Sequence, residues 1–440
     1  HMTALLAAIG LVCSAVMCAM PQMLAGWLHD EAAAHAIRAL GPAVALVCVS
    51  SALRGFGQGL GDMLPTAAGQ ITESAGKLVI GLALCLVLLN RNAPAELCAA
   101  GAIGGVTAGA ALGLLVTAYL TSRRCTLPEA RDVPPARWET LRQLLAVGVP
   151  ITVGAAGMSL ITLLDQALVT DTLRNTLGYS AAETSALYGQ YTFGMTLFQL
   201  PPSFIYPVSV SLMPAITAAL TRQDRQAAGS AAGAALKLTT LAALPAGAGL
   251  SVLAEPILLL LYPAVPDTAR AAAYHLTFLG LACVFVCLMV ATNGVLQAYG
   301  RPYIPVFTLL CGGVMKIVTN YLMVGDPATG IRGAAVSTLY CYALIVVLNL
   351  LAIARYVPER PGYIGLFAKP LLLTAVMALA ARSSYGLLVR CLPERWAVLP
   401  AILIAAAVYI LLALATGTVT RQELLTLPKG EKIAQILGLR

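Results

Sequence analysis

Residues 293–324 read NGVLQAYGRPYIPVFTLLCGGVMKIVTNYLMV. From Tyr303 onward the stretch is long and apolar enough to cross a bilayer, which takes roughly 20 such residues, yet Lys316 stands near its middle. A charge at that depth costs about 2.5–3.5 kcal/mol on insertion scales, so Lys316 must turn toward a bundle interior or water and meet a partner. Far upstream, residues 54–61 read RGFGQGLG. The two passages share Gly-x-x-Gln-x-x-Gly at an offset of 239, pairing Gly55 with Gly294, Gln58 with Gln297 and Gly61 with Gly300. At the same offset Lys77 falls on Lys316, within KLVI and KIVT, and a fainter echo links AMP at 19–21 to AEP at 254–256. Small residues recur by chance in so biased a composition; an intramembrane lysine in register does not. The chain therefore reads as an internal duplication whose copies run in the same direction, a parallel repeat about an axis along the membrane normal.

The composition agrees. Of 440 residues, 59% are apolar and 10% charged, with mean hydropathy +0.84; soluble domains carry about 25% charged residues, so a water-soluble enzyme is excluded. The pattern is that of an all-α polytopic membrane protein with about twelve spans, at 3–28, 40–60, 64–89, 97–120, 144–169, 186–220, 238–262, 272–298, 303–325, 332–354, 365–388 and 397–418. The sixth is too long for one straight span and holds Pro201, Pro202, Pro207 and Pro214, which predicts a kinked or broken helix, since proline removes a donor and clashes with the preceding turn. The excess of 27 Lys/Arg over 19 Asp/Glu follows membrane topology rather than nucleic-acid binding. One set of alternate gaps, with Arg54, Lys77 and the tail counted in it, holds 18 basic residues, and the opposite set holds 8. The richer side is cytoplasmic by the positive-inside rule, which puts the protein in the cell membrane as a multi-pass chain with both ends in the cytoplasm. The 11 cysteines mostly lie inside apolar runs without metal or disulfide spacing and read as small packing residues. No signal peptide is evident, and the opening His1-Met2 reads as a cloning remnant.

One gap resembles a linker. Residues 121–142 (TSRRCTLPEARDVPPARWETLR) are basic and rich in proline. The expected organisation is an N-terminal lobe of four spans over 1–120, a cytoplasmic loop over 121–142, a C-terminal lobe of six spans over 143–355, and a C-terminal pair with a tail over 356–440. Because spans one to four repeat spans seven to ten, spans five and six open the second unit. The pair that would open the first is expected to be missing.

Lys77 has an acid one turn earlier, Glu73, in the favourable i,i+4 order; at the equivalent place Lys316 has Gly312. The best acid for Lys316 is Asp165, in the fifth span (ITLLDQALV). The expected cluster pairs Asp165 with Lys316, with Asn320 one turn beyond the lysine and Ser337 or Thr338 in the next helix. It reads either as a coupling element or as a static brace. Arg54 and Lys77 are candidate substrate contacts, although Arg54, ending its span, also suits a topology anchor. In the sixth span Gln190, Gln199, Ser203 and Tyr206, with Tyr191, Ser209 and Ser211, are candidates to line a cavity, because proline-freed carbonyls need partners. His29, His35 and His275 fall near outer ends and read as surface residues. No nucleophile–base constellation stands out, so the reading is not an enzyme; neither cofactor nor metal is expected.

RGFGQGLGDMLPTAAGQITES at 54–74, LYGQYTFGMTLFQLPPSFIYPVSVSLMPAIT at 187–217, the passage at 293–324 and GIRGAAVSTLYCY at 330–342 together resemble the SpoVB/MurJ (MviN) branch of the multidrug/oligosaccharidyl-lipid/polysaccharide exporter superfamily. The resemblance implies two MATE-like lobes, each of six helices, around a V-shaped cavity, with a C-terminal helix pair. It also implies outward movement of an undecaprenyl-pyrophosphate-linked cell-wall precursor, lipid II first among them, by a monomer that meets lipid-linked oligosaccharide and membrane lipids but no nucleic acid. The alternatives are export of another lipid-linked polysaccharide unit or of small cations, or a non-transporting scaffold for wall or spore-cortex synthesis. In related flippases a comparable cluster binds sodium through an acid, an amide and a hydroxyl. Here Lys316 takes one ligand's place, which leaves Na+ or H+ coupling open.

Overall fold

The structure, a computed structural model, describes residues 2–27, 34–60, 62–124, 137–357 and 362–418. Most of the loop expected at 121–142, together with His29, Gly61, Cys125, Arg131, Arg360 and the tail charges Arg421, Lys429, Lys432 and Arg440, lies outside the described residues, as do the side chains of Arg137, Ser209 and Ser211. Among the described residues every regular element is a helix. Nine helices among the described residues are long and apolar enough to cross a membrane, and the chain is a multi-pass membrane protein. The contacts divide it into two compact units, residues 1–135 and 136–440.

The first unit holds α1 (Met2–Ala19), α2 (Pro21–Trp27), α3 (Ala34–Gly59), α4 (Leu64–Asn90) and α5 (Ala95–Arg124). The first expected span is thus broken, because Pro21 cannot donate back into α1 and starts a new helix instead. Lys77 stands at the middle of α4 and Arg54 lies within α3, five residues before its end, so both are charges at helix depth rather than the loop charges of the sequence count. Packing here relies on glycine. A Cβ on Gly76 would come within 2.8 Å of the Gly109 Cα, and one on Gly109 within 2.5 Å of the Glu73 carbonyl oxygen. Small residues let the α4 and α5 backbones touch, the usual means of close approach in lipid.

The second unit holds α6 (Arg137–Asp171), which runs into a π-helical turn at Thr172–Thr176, then α7 (Ala181–Phe198), α8 (Leu200–Thr221), α9 (Arg225–Val252), α10 (Ala254–Leu261), α11 (Pro266–Ala298), α12 (Tyr303–Val324), α13 (Arg332–Tyr356), α14 (Tyr363–Leu388) and α15 (Glu394–Ala415). The sixth expected span breaks between α7 and α8. Ser180 and Glu183 form a reciprocal cap at the start of α7, and α8 opens on Pro201 and Pro202, in the first turn where a missing N–H is no loss. The seventh span is broken too, at Leu253, just before Ala254-Glu255-Pro256. Here the core is filled by large side chains, among them Leu173, Tyr191, Phe198, Leu279 and Ile345, with Cys283, Cys287 and Cys341 sealed among them. The final pair packs on the same unit, α14 against α9 and α15 against α10 and α14, around Leu241, Leu373, Met377 and Val398.

The duplication is visible in the packing. In the first unit α5 lies against both α3 and α4, which barely touch each other; in the second, α13 lies against both α11 and α12, which barely touch. A broken helix precedes each trio and packs on its first member, α1 on α3 and α9 on α11. Lys77 is the fourteenth residue of α4 and Lys316 the fourteenth of α12, about 20 Å from either start at 1.5 Å per residue.

Candidate functional site

Asp165 organises the polar centre of the second unit. It is 3% exposed and Lys316 4%, and the Lys316 Nζ donates to Asp165 Oδ2 across 3.0 Å. Asn320, one turn along α12, donates through Nδ2 to the other oxygen, Oδ1, at 2.7 Å. The Tyr191 hydroxyl, on α7, donates to Oδ2 at 3.2 Å and stands 3.1 Å from the Thr338 hydroxyl of α13. Since Tyr191 has a single proton, its donation to Asp165 requires Thr338 to donate to Tyr191; the alternative acceptor for Thr338 is the Ala334 carbonyl, 2.9 Å away. One carboxylate on α6 thereby ties α7 and α12 directly, and α13 through Tyr191.

The remaining members sit differently. Ser337 does not reach Asp165: it donates to the Lys316 carbonyl at 3.1 Å and pairs with Thr319 at 2.7 Å, pinning α13 to the α12 backbone. Asn320 Oδ1 is buried without a partner among the described residues. A cavity of about 20 Å³ lies against Asp165, Lys316 and Asn320, enough for one water, which needs roughly 10–15 Å³ and polar neighbours. Nearby, Asn349 of α13 forms a network with α11 and α12, donating to Thr292 at 3.0 Å and Asn293 at 2.8 Å and accepting from Thr308 at 2.8 Å.

The first unit has its own charged cluster. Glu73 accepts from Arg54 Nη2 through Oε2 at 2.7 Å and from Lys77 Nζ through Oε1 at 2.8 Å. Arg54 is therefore not a solvent-facing anchor at a helix end; its side chain, 14% exposed, folds back onto α4 because an isolated guanidinium at that depth would lack a counter-charge. Among the described side chains, Gln190, Gln199, Ser203 and Tyr206 of the sixth span do not assemble with either cluster. Gln199, Ser203 and Tyr206 are exposed, Ser203 donating to the Leu200 carbonyl at 2.7 Å, and Gln190 is half-buried. Their neighbour Tyr191 is fully buried and, among the described side chains, is the segment-six residue that hydrogen-bonds to Asp165. His275 is buried as well, edge-on to the Tyr191 ring at 5.8 Å; α11 starts at Pro266, six residues before its expected start, which draws His275 into the bundle. An apolar groove of about 450 Å³ runs between α9, α10, α14 and α15, past Pro245, Leu253, Met377 and Tyr409.

A duplicated helical bundle with charges sealed at helix depth is the make-up of a membrane transporter. The family described as lipid II flippase MurJ matches residues 68–418, and the chain belongs to that family. It is 28% identical over 397 residues to the membrane protein YabM of Bacillus subtilis (strain 168), covering 88% of this chain and 73% of that one. To stage V sporulation protein B of the same organism it is 24% identical, covering 77% of this chain and 64% of that protein. The solved structure of the lipid II flippase MurJ in its inward closed conformation shares the fold, with a TM-score of 0.64 and 15% identity over 94% of this chain and 82% of that one.

Proposed function

We propose that this protein moves an undecaprenyl-pyrophosphate-linked cell-wall precursor, lipid II foremost, to the outer leaflet by alternating access. The observation that carries the reading is the Asp165 cluster. A bias between two conformations requires a ligand or proton that binds them unequally, and a single carboxylate joining α6, α7, α12 and α13 changes contacts to several helices at once when its charge changes. With Asp165 ionised, Lys316, Asn320 and Tyr191 all donate to it. With Asp165 protonated, Lys316 loses its counter-ion, and the hydroxyl relay is free to reverse, Tyr191 donating to Thr338 and Thr338 to the Ala334 carbonyl. Lys316 occupies the position a bound cation would take beside Asp165, so coupling is read as proton-linked rather than sodium-linked.

Arg54 and Lys77 are the head-group contacts in this reading. The protein acts as a monomer with both ends in the cytoplasm. The test is complementation of cells depleted of their lipid II flippase, in medium with and without sodium. Rescue independent of sodium and abolished by Asp165→Asn is expected. Failure to rescue despite confirmed membrane expression would turn the reading toward another lipid-linked glycan or a scaffold for wall synthesis.

A further inference from the structure

The Arg54–Glu73–Lys77 cluster carries two positive charges and one negative, at the middle of a helix with no other charged residue. Its repeat counterpart is electrically closed: at the offset of 239, Arg54 corresponds to Asn293, Glu73 to Gly312 and Lys77 to Lys316, and Lys316 is neutralised by Asp165. The first copy thus keeps a surplus positive charge that the second lacks. Glu73 bridges the two cations with one oxygen each, as the oxygens of a phosphate would. Arg54 engages Glu73 through Nη2, while its Nε is buried with no partner among the described residues; the Nε edge of a guanidinium is suited to paired hydrogen bonds with a phosphate. The Lys77 side chain is 40% exposed, so the cluster is open to a ligand.

We infer that Glu73 holds the place of an anion, and that the diphosphate of a lipid head group displaces it from between Arg54 and Lys77. A diphosphate esterified at both ends carries two negative charges, matching Arg54 and Lys77 only when Glu73 withdraws its own. Binding is therefore accompanied by proton uptake on Glu73 and tightens as pH falls. The charged groups facing Glu73 are Arg54 from α3 and Lys77 from α4, while α5 presents Gly109 and Gly113. The identity of the lipid rests on the flippase reading; the anion chemistry does not.

The experiment is equilibrium binding to the full chain in phosphatidylcholine nanodiscs, with lipid II, undecaprenyl monophosphate and free inorganic pyrophosphate as probes, across the neutral pH range. Arg54→Gln and Lys77→Gln should weaken lipid II binding by roughly ten- to hundredfold, the loss of one charge-assisted hydrogen bond. Glu73→Gln should bind more tightly than wild type and lose the pH dependence, a gain that misfolding cannot produce. Lipid II that free pyrophosphate does not displace assigns the site to the lipid head group; displacement assigns it to diphosphate whatever the carrier. Equal binding of undecaprenyl monophosphate and lipid II, unchanged binding in the Arg54 and Lys77 variants, or weaker binding in Glu73→Gln overturns the inference. Retained binding with failed transport counts against the flippase reading alone.

Discussion

Lys77 and Lys316 occupy the same place in two copies of one helical trio, and their surroundings differ in almost every respect. Lys77 shares an acid from its own helix with an arginine and keeps much of its side chain exposed. Lys316 is sealed in, draws its acid from α6 and stands among large side chains. The first copy achieves neutrality locally and incompletely, the second completely and at long range. A duplicated position can hold its residue type while the partner moves from within the helix to another part of the bundle. The local version leaves a charge free for a ligand; the long-range version makes the lysine a tie between helices.

The comparison is broken most sharply by deleting each lysine. Lys316→Met should destabilise the protein by about 3–5 kcal/mol, the cost of leaving a buried charge unpaired, read as a fall in thermal stability in detergent. Lys77→Met should cost less than about 1 kcal/mol, as for half-exposed pairs, because Arg54 still neutralises Glu73. If Asp165 matters to stability only through Lys316, the double change Asp165→Leu/Lys316→Met should recover most of the loss; hydrophobic replacement of a buried pair is often neutral or better. Non-recovery would show that Asn320 and Tyr191 depend on the carboxylate.

Changes around the two sites sharpen it further. Gly109→Val should cost about 1–3 kcal/mol by overpacking, since the added atoms meet the backbone of Glu73 and Lys77. Asn349→Leu should cost a similar amount, about 1–3 kcal/mol, by removing three hydrogen bonds, those to Thr292, Asn293 and Thr308. The smallest effect belongs to Asp62, at the edge of the first unit, whose carboxyl Arg124 holds below its usual range. A carboxylate with a lowered native pKa contributes stability above its unfolded pKa and loses it as pH falls through the lowered value. Melting curves taken downward through the carboxylate range should therefore show a slight acid-side loss in wild type that Asp62→Asn lacks.

Much of this was readable from residue order alone. Each of the twelve apolar segments appears as a helix or a broken helix, the proline-rich sixth divides beside Pro201, and the partners Glu73 for Lys77 and Asp165 for Lys316 follow from the need to neutralise a charge at depth. What escaped the reading has a common cause: hydropathy reports how apolar a segment is, not where its helix bends or which way a side chain turns. The breaks before Pro21 and Pro256 hide within continuous apolar runs. Arg54 looks like a terminal charge until α3 and α4 are set side by side, and Tyr191 sits among polar neighbours whose spacing defines no single face.

The long-range pairing of Asp165 and Lys316 also has a consequence for biogenesis. α4 can enter the bilayer with its own ion pair already made, because Glu73 and Lys77 lie one turn apart. α6 arrives with Asp165 unpartnered, and five helices must be synthesised before α12 brings Lys316. Each of the two pays an insertion cost of about 2.5–3.5 kcal/mol until they meet. The second unit is thus assembled out of order in space. Until then Tyr191 on α7, the next helix to be made, is the partner already at hand for the acid.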